Sequence, residues 1–170
     1  RLYAYKNTVL FFLANGPQDW ALWRSDGTEE GTRLLKGGFI DEPSDYIEYN
    51  GLFYFALMAA DRETGVELWR TDGTIVGTRI AFDLYPGQGS SYPGEFTLYA
   101  GLLYFTANDG MTGEELYRTD GTAEGTELVA DIAPGPDSSS PNQLTVSQGA
   151  IFFDAWEPLR GRELYKSTTV

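Results

Sequence analysis

Short apolar runs alternate with polar pauses along the chain, and the runs come in pairs. Residues 46–49 and 52–56 form one such pair, separated by Asn50-Gly51. Asn-Gly between two apolar runs is a strong signal for a β-hairpin, because both residues accept the positive φ that a tight turn needs. We therefore predict a hairpin here and at each similar pair. The similar pairs occur at residues 2–13, 96–105 and 144–153.

The strand that follows each of these turns is apolar at consecutive positions. Residues 52–55, for example, read Leu-Phe-Tyr-Phe. A sheet with one face in solvent would show alternating apolar and polar residues, so these strands must be buried on both faces. No window of the chain shows the period of an amphipathic helix. The pattern predicts an all-β protein whose sheets lie between other sheets.

A longer motif recurs at nearly constant spacing. It reads Glu-Leu-Trp-Arg-Thr-Asp-Gly-Thr at residues 67–74 and is followed by Gly77-Thr78. Its Leu-Trp or Leu-Tyr pair begins at residues 22, 68, 116 and 164, which gives spacings of 46, 48 and 48 residues. The Asp-Gly-Thr step suits a turn, since glycine accepts positive φ and the aspartate can accept backbone N–H groups. A period of this size is typical of repeat architectures.

Each repeat has room for four short strands, and four antiparallel strands that are apolar on both faces are typical of a propeller blade. We therefore predict an all-β fold of tandem four-stranded antiparallel repeats, β-propeller-like, with about 15 strands. This number corresponds to about four blades, or to half of a larger ring. Residues 1–170 then form a single β-repeat domain, with approximate repeats at 1–49, 50–99 and 100–148 and a partial repeat at 149–170.

The repeated pattern resembles that of a known family. Glu-Leu-Trp-x-x-Asp-Gly-Thr-x-x-Gly-Thr is followed by Asp-Ile-x-Pro-Gly-x-x-Ser-Ser and then by Gly-x-Leu-Tyr-Phe-x-Ala, over nearly the whole chain. This is similar to the ELWxxDGT repeat family of bacterial secreted and surface proteins. The resemblance implies a repetitive extracellular or cell-surface β-structure and brings no catalytic residues with it. The chain departs from the pattern at Ala21, Tyr117 and Tyr165, and it lacks Asp-Gly-Thr at its end.

The composition excludes several kinds of chemistry. The chain has no Cys and no His, so it contains neither a Ser-His-Asp or Cys-His nucleophile system nor a zinc site of thiolate or imidazole ligands. The net charge of −13 disfavours nucleic acid as a partner, because a phosphate backbone requires a basic surface. No apolar run approaches the roughly 18 residues needed to span a bilayer, so we expect no membrane insertion.

Functional residues are expected on one end of the sheets. In an up-and-down meander alternate connections lie at the same end, so the long loop within each repeat and the Pro/Ser-rich loop after it should share a face. Function usually resides on such loops. The informative residues there are those that do not recur from repeat to repeat. They are Asp19, Trp20, Asp41, Asp61, Tyr85, Tyr92, Asn108, Asp109, Asp137, Asp154, Trp156 and Glu157.

Some of these residues suit carbohydrate binding, because aromatic rings stack on the C–H faces of sugars while Asp and Asn bind hydroxyl groups. The predicted ligand-binding residues are Trp20, Trp156, Tyr85, Tyr92, Asn108 and Asp109. The alternative is that Trp20 and Trp156 only cover the bases of the loops. Aromatic residues that recur at the repeat period are expected to pack in the core. They are Trp23, Trp69, Tyr117 and Tyr165.

Carboxylates raise two further hypotheses. Asp83 and Asp131 precede loops rich in carbonyl and serine oxygens, which could hold Ca²⁺; capping of the loop is the alternative. A glycoside hydrolase would need a pair of carboxylates, and no motif selects two from the candidates. The candidates are Asp19, Asp61, Asp109 and Asp154. The sequence therefore predicts a protein that is not an enzyme.

These observations favour an extracellular or cell-surface module with a structural or adhesion role, which self-associates or belongs to a larger assembly. The terminal strands, at residues 2–6 and 163–166, would otherwise leave open edges, which proteins rarely leave unprotected. The expected partners are other protein chains, joined through the terminal strands, or surface glycans. A lectin-like, carbohydrate-binding propeller is the alternative function, and a glycoside hydrolase is a more distant one.

Overall fold

The computed structural model describes residues 1–60 and 63–168, which form four antiparallel sheets. The first sheet contains β1 (Leu2–Tyr5), β2 (Thr8–Gly16), β3 (Asp19–Ser25) and β4 (Arg33–Phe39). The second contains β5 (Tyr46–Tyr49), β6 (Leu52–Met58), β7 (Val66–Thr71) and β8 (Arg79–Phe82). The third contains β9 (Gly94–Tyr99), β10 (Leu102–Asn108), β11 (Glu114–Thr119) and β12 (Glu127–Ala130). The last contains β13 (Asn142–Ser147), β14 (Ala150–Glu157) and β15 (Gly161–Ser167).

Every sheet is an up-and-down meander in which strands adjacent in sequence are adjacent in space. The predicted all-β fold of tandem antiparallel repeats is therefore confirmed. Each sheet begins one strand earlier than the sequence repeat, because β5 pairs with β6 through Tyr49 and Leu52 and so belongs to the sheet that follows it. Among the described residues, no helix is long and apolar enough to cross a membrane.

The tight turns between the first two strands of the later sheets have left-handed backbones. Asn50 and Gly51 have φ values of 49° and 73°. Two successive positive φ values match the right-handed twist of the flanking strands, which explains why Asn-Gly is found there. The equivalent turns at 100–101 and 148–149 also have positive φ at both residues.

The Asp-Gly-Thr motif builds the turn between the third and fourth strands. Asp72 Oδ1 accepts hydrogen bonds from the backbone N–H of Thr74 at 2.8 Å and from its hydroxyl at 2.6 Å. The N–H of Gly77 donates to the Thr74 hydroxyl oxygen at 3.0 Å. A Cβ at Gly77 would lie only 2.0 Å from Asp72 Oδ1. The full spacing Asp-Gly-Thr-x-x-Gly-Thr is therefore a requirement of the turn itself.

Three apolar clusters lie between successive sheets, and we call them the first, second and third junctions. The first junction contains Tyr3, Tyr5, Leu10, Phe12, Leu22, Leu35, Phe39, Phe53, Phe55, Leu57, Ala59 and Trp69. The second contains Tyr49, Tyr54, Leu68, Phe82, Leu103, Phe105, Ala107 and Tyr117. The third contains Tyr104, Leu116, Ile151, Phe153 and Ala155, with Tyr165 packed against them. Each sheet between two others is thus buried on both faces, as the apolar strands predict.

The recurring aromatic residues of the long motif divide into two groups. Trp69, Tyr117 and Tyr165 pack in the junctions, as predicted. Trp23 was also predicted to pack in the core, and it belongs to none of the junctions, because it lies on the face of the first sheet that points away from the second.

Polar contacts repeat across the junctions beside the apolar ones. The hydroxyl of Tyr49 donates to the carbonyl of Gly101 at 2.7 Å, from one sheet to the hairpin turn of the next. The same contact joins Tyr5 to Gly51 and Tyr99 to Gly149. These bonds pair carbonyl groups of the turns that would otherwise face the neighbouring sheet unpaired.

We expect the substitution Tyr49→Phe to lower the free energy of unfolding by about 1 kcal/mol, because it removes one hydrogen bond at a junction and leaves a carbonyl unpaired. Denaturation in urea, followed by tryptophan fluorescence, measures the change. Tyr46→Phe is the matched control, since Tyr46 lies on the same strand and is 43% exposed. Equal effects of the two substitutions would contradict a role for the contact between Tyr49 and Gly101.

Candidate functional site

The long loop of a sheet and the Pro/Ser-rich loop after it lie at the same end, as predicted. In the second sheet the N–H of Val66 donates to the Ser90 hydroxyl at 2.9 Å, and the N–H of Ser91 donates to the Val66 carbonyl at 3.0 Å. The N–H of Asn108, in the third sheet, donates to the Ser91 carbonyl at 2.9 Å. The Pro/Ser-rich loop therefore connects two sheets at this end, which we call the loop face.

A buried carboxylate organises this loop. Glu67, the glutamate of the long motif, is 0% exposed. It accepts hydrogen bonds from the N–H of Ser91 at 3.0 Å and from its hydroxyl at 2.5 Å. Glu115 does the same with Ser139, at 3.1 and 2.5 Å, and is also 0% exposed. The motif glutamate and the second serine of Ser-Ser thus form one structural unit, which we call the Glu–Ser clamp.

The first and last sheets show what happens when the clamp is incomplete. In the first sheet Ala21 takes the place of the glutamate, and the loop that follows, at residues 40–45, lacks the Pro-Gly-x-x-Ser-Ser sequence. In the last sheet Glu163 is exposed and makes no such hydrogen bond within the described residues. The glutamate is buried only where the serine loop covers it, so its role is architectural.

The clamp also changes the ionisation of these glutamates. Burial raises the pKa of Glu67 to about 7, and the hydrogen bonds from Ser91 oppose the rise only in part. Burial likewise raises the pKa of Glu115, against the hydrogen bonds from Ser139, Ile132 and Ala133. With a pKa of about 7, the Glu67 carboxyl is partly protonated near neutral pH.

A cavity on the loop face lies between the second and third sheets and has a volume of about 550 Å³. Its polar lining consists of Ser44, Asp45, Tyr92, Glu95, Thr106 and Glu114. Tyr92, one of the predicted ligand-binding residues, is 63% exposed and has a left-handed backbone with φ of 45°. No Lys or Arg lines the cavity. The cavity therefore combines an exposed aromatic ring with three carboxyl groups.

Two of the three carboxylates also connect the innermost strands. Asp45 Oδ2 accepts the N–H of Phe96 at 3.2 Å, and Glu95 Oε2 accepts the N–H of Leu144 at 3.3 Å. Each bond runs from one sheet to the first strand of the next. Glu114 differs, because its carboxylate makes no hydrogen bond to any described residue, while its backbone N–H is bound by the Ser138 hydroxyl. Its oxygens are free to accept bonds from a ligand.

Three other predicted residues lie around a smaller cavity of about 180 Å³. Tyr85 and Asn108 line it, and the Tyr85 ring packs so closely on Gly110 that a Cβ there would lie 2.5 Å from it. Asp109 begins the adjoining turn, where Oδ1 accepts the N–H groups of Met111 and Thr112 at 2.8 and 2.7 Å. Burial favours a higher pKa for Asp109, but these hydrogen bonds hold the pKa below its usual value. These residues build a turn, in which the Asn108 side-chain carbonyl and the Asp109 carboxylate already accept backbone N–H groups.

The two predicted tryptophans are far apart in the fold. Trp20 is the second residue of β3 in the first sheet and packs against the first junction. Trp156 is the penultimate residue of β14 in the last sheet and is 36% exposed, and its backbone N–H donates to the Ser139 carbonyl at 2.7 Å. Neither residue lines the cavities of about 550 and 180 Å³. The structure therefore does not bring the six predicted residues together into one site.

Of the two predicted cation ligands, Asp131 has a structural role. Asp131 Oδ2 accepts the N–H of Gly135 at 3.4 Å, which caps its loop, while Asp83 is exposed. Within residues 1–60 and 63–168, no group of three or more acidic residues is placed to hold a metal ion. Asp154, a candidate for a catalytic pair, forms an ion pair with Arg162. Asp61, another candidate, lies outside the described residues.

No protein-family model and no curated protein matches the chain. Its fold does match solved structures. A puromycin hydrolase mutant complexed with PGG is similar over 95% of this chain, with a TM-score of 0.59 and 18% identity. A second structure of puromycin hydrolase is similar over 94%, with a TM-score of 0.57 and 22% identity. The chain spans only 25% of the length of each. Exo-beta-1,3-galactanase from Clostridium thermocellum has a TM-score of 0.44 and 11% identity, over 94% of this chain and 42% of its own.

Similarity at this level of identity shows a shared fold and no more: the chain has a β-propeller-type fold. The comparisons contradict the prediction that the protein is not an enzyme, because the proteins that share its fold are hydrolases. The absence of His and Cys excludes only reactions that need those side chains. Hydrolysis by carboxyl groups does not need them.

The raised pKa of Glu67 predicts how stability depends on pH. The folded chain holds a proton on Glu67 up to about pH 7, whereas the unfolded chain releases it near 4.5. We therefore expect the contribution of Glu67 to be greatest below pH 4.5 and to be lost as the pH rises through 7, by on the order of 3 kcal/mol. The measurement is the difference in unfolding free energy between the wild type and Glu67→Gln from pH 4 to pH 8.

Glu67→Gln keeps the shape of the neutral side chain, so the wild type should lose stability relative to this variant as the pH rises. Glu124→Gln, in an exposed turn, is the matched control and should show no such trend. Adding Glu115→Gln should enlarge the effect, since Glu115 shifts in the same direction. A difference between wild type and Glu67→Gln that stays constant over this range rules out titration of the clamp.

Proposed function

We propose that the chain is an extracellular adhesion module of propeller-type repeats that binds carbohydrate in the cavity between its second and third sheets. The observation that carries this proposal is the position of Tyr92, an exposed ring at the edge of a cavity of about 550 Å³ lined by carboxyl and hydroxyl groups. The resemblance to the ELWxxDGT repeats of secreted and surface proteins supports the extracellular location.

Tyr92 differs from the residues that maintain the fold. It follows the Ser91 of the clamp, and the equivalent position after Ser139 is occupied by Ser140. Both residues have φ of 45°, so the repeat requires the backbone shape and not the ring. An aromatic ring that is 63% exposed leaves most of its apolar surface in solvent. A sugar that stacked on it would bury both apolar surfaces.

The charge of the cavity restricts the type of sugar. Asp45, Glu95 and Glu114 line it without a Lys or Arg, and the whole chain carries a net charge of −13. Uronic acids, sulfated sugars and sialic acids would meet repulsion in such a site. Neutral sugars can instead donate hydroxyl protons to the carboxylates, which accept them as strong hydrogen bonds. We therefore propose a neutral polysaccharide as the ligand class.

The test compares binding of a soluble neutral β-glucan, a neutral mannan and the acidic polygalacturonate by isothermal titration calorimetry. We expect binding of a neutral polymer and none of polygalacturonate. Tyr92→Ala should weaken binding about tenfold or more, because losing a stacked ring removes about 1.5 to 3 kcal/mol. Trp156→Ala is the matched control, because this exposed ring lies in the last sheet and should leave the affinity unchanged.

Failure of all neutral polymers to bind, or equal losses for Tyr92→Ala and Trp156→Ala, would contradict the proposal. The same samples are assayed for release of reducing ends, since the shared fold includes hydrolases. If reducing ends are released and Glu114→Gln abolishes this turnover, the cavity hydrolyses the polymer and does not only bind it. Glu114 would then act through its carboxylate, which makes no hydrogen bond to a described residue.

A further inference from the structure

Two residues of the third sheet, Thr106 and Glu114, line the cavity of about 550 Å³ from neighbouring strands. Thr106 on β10 pairs with Leu116 on β11, and Glu114 lies two residues before Leu116. Side chains two residues apart on a strand project from the same face, so Thr106 and Glu114 are diagonal neighbours on one face of the sheet. We call them the Thr–Glu pair.

The other sheets fill the two equivalent positions differently. The first two sheets have apolar or aromatic residues there, and the last sheet has an anion and a cation that form an ion pair with each other. The residues are Phe12 and Trp20 in the first sheet, Ala56 and Val66 in the second, and Asp154 and Arg162 in the last. The repeat therefore does not require a threonine and a glutamate at these positions.

The hydroxyl of Thr106 is buried without a partner from the protein. Thr106 is 2% exposed, and its Oγ1 makes no hydrogen bond to any described residue. Buried hydroxyl groups nearly always have a hydrogen-bond partner, because an unpaired one opposes folding. The Glu114 carboxylate also accepts no hydrogen bond from a described residue. The Thr–Glu pair thus offers one hydroxyl and one carboxylate to a ligand in the cavity.

Gly94 keeps the space beside the Thr106 hydroxyl open. It starts β9, pairs with Thr106 and lines the cavity. Its φ is not in the left-handed region, and a Cβ there would meet only Thr106 Oγ1 among the described atoms, at an ordinary contact distance of 3.6 Å. The equivalent residues in the neighbouring sheets, Ser44 and Asn142, carry side chains. Neither the backbone nor the packing therefore requires glycine at this position.

The open space lies close to the exposed ring of Tyr92. Gly94 follows Tyr92 by two residues, so their backbones are at most about 7 Å apart. The hydroxymethyl group of a hexopyranose extends one carbon further from the ring than a hydroxyl group does. With the sugar stacked on Tyr92, this group reaches the space at Gly94. Its oxygen can accept the proton of the Thr106 hydroxyl and donate its own to the Glu114 carboxylate.

We propose that Gly94, Thr106 and Glu114 form a subsite for the hydroxymethyl group of a hexose, so that the cavity selects hexose polymers over pentose polymers. This inference rests on the proposed function and names the class of neutral sugar that the cavity takes. Xylose is glucose without the hydroxymethyl group. A xylose chain stacks on Tyr92 in the same way but leaves the Thr106 hydroxyl unpaired, and a site with unpaired polar groups discriminates against such a ligand.

The test measures binding of the β-1,4-linked hexamers of glucose, mannose and xylose by isothermal titration calorimetry. We expect a hexose hexamer to bind at least tenfold more tightly than the xylose hexamer. Thr106→Val keeps the shape of the side chain and should weaken binding of that hexose hexamer about fivefold, without weakening binding of the xylose hexamer. Thr145→Val, an exposed threonine of the last sheet outside the cavity, is the matched control and should change neither affinity.

A second variant, Gly94→Ala, places a methyl group in the open space and should also reduce the preference for hexose. Neither variant should lower the midpoint of thermal unfolding, because Thr106→Val removes a hydroxyl that has no partner and the added Cβ makes an ordinary contact. A lower midpoint for Thr106→Val would show that the hydroxyl is bonded within the protein and would overturn the subsite.

Tyr92→Ala separates this inference from the proposed function. If Tyr92→Ala weakens binding of the hexose and xylose hexamers alike, while the wild type binds both equally and Thr106→Val has no effect, the stacking site is correct and the subsite is wrong. If no hexamer binds, and the polymers do not bind either, both proposals are wrong. If a hexose polymer binds but its hexamer binds no better than the xylose hexamer, only the subsite is wrong.

Discussion

The fold depends on one constraint, which is that each inner sheet must be buried on both faces by its neighbours. The strands after the hairpin turns are apolar at consecutive positions because one set of side chains enters the junction before the sheet and the other enters the junction after it. Phe55 and Tyr54, adjacent in sequence, lie in the first and second junctions respectively. A chain with this pattern has no stable arrangement as a single sheet, so its repeats must stack.

The fold could be predicted from the sequence because this constraint leaves a local signal at every repeat, in the Asn50-Gly51 turn, the apolar run and the Asp-Gly-Thr turn. The Glu–Ser clamp could not be predicted from the same signals, since Glu67 and Ser91 are separated by a loop and each residue alone suggests an exposed position. One sequence signal was available: Ala21 replaces the glutamate in the one repeat whose loop also lacks Ser-Ser. The glutamate and the two serines are missing from the same repeat, which indicates that they contact each other where they are present.

The candidate site was predicted less well, for a physical reason. Lack of recurrence identifies residues that the repeat does not require, but it does not say whether a ring is covered. Trp20 and Tyr92 are equally unrepeated, yet Trp20 packs on a junction while Tyr92 is 63% exposed. The carboxyl groups beside Tyr92 could not be predicted from the sequence, because Asp45, Glu95 and Glu114 come together only when two sheets pack. The spacing of these three acidic residues along the chain matches no recognisable sequence motif.

The two ends of the stack are chemically different although they are built from the same repeat. The first sheet keeps Phe11 and Trp23 at the positions that Phe55 and Trp69 occupy in the first junction. The last sheet instead has Asp154 in place of an apolar or small residue, and Ser147 in place of a junction tyrosine. Three junctions already use a Tyr-to-Gly hydrogen bond, and Ser147 removes the donor for a fourth. Substitutions at single positions thus change the chemistry of a sheet's face without altering the strands themselves.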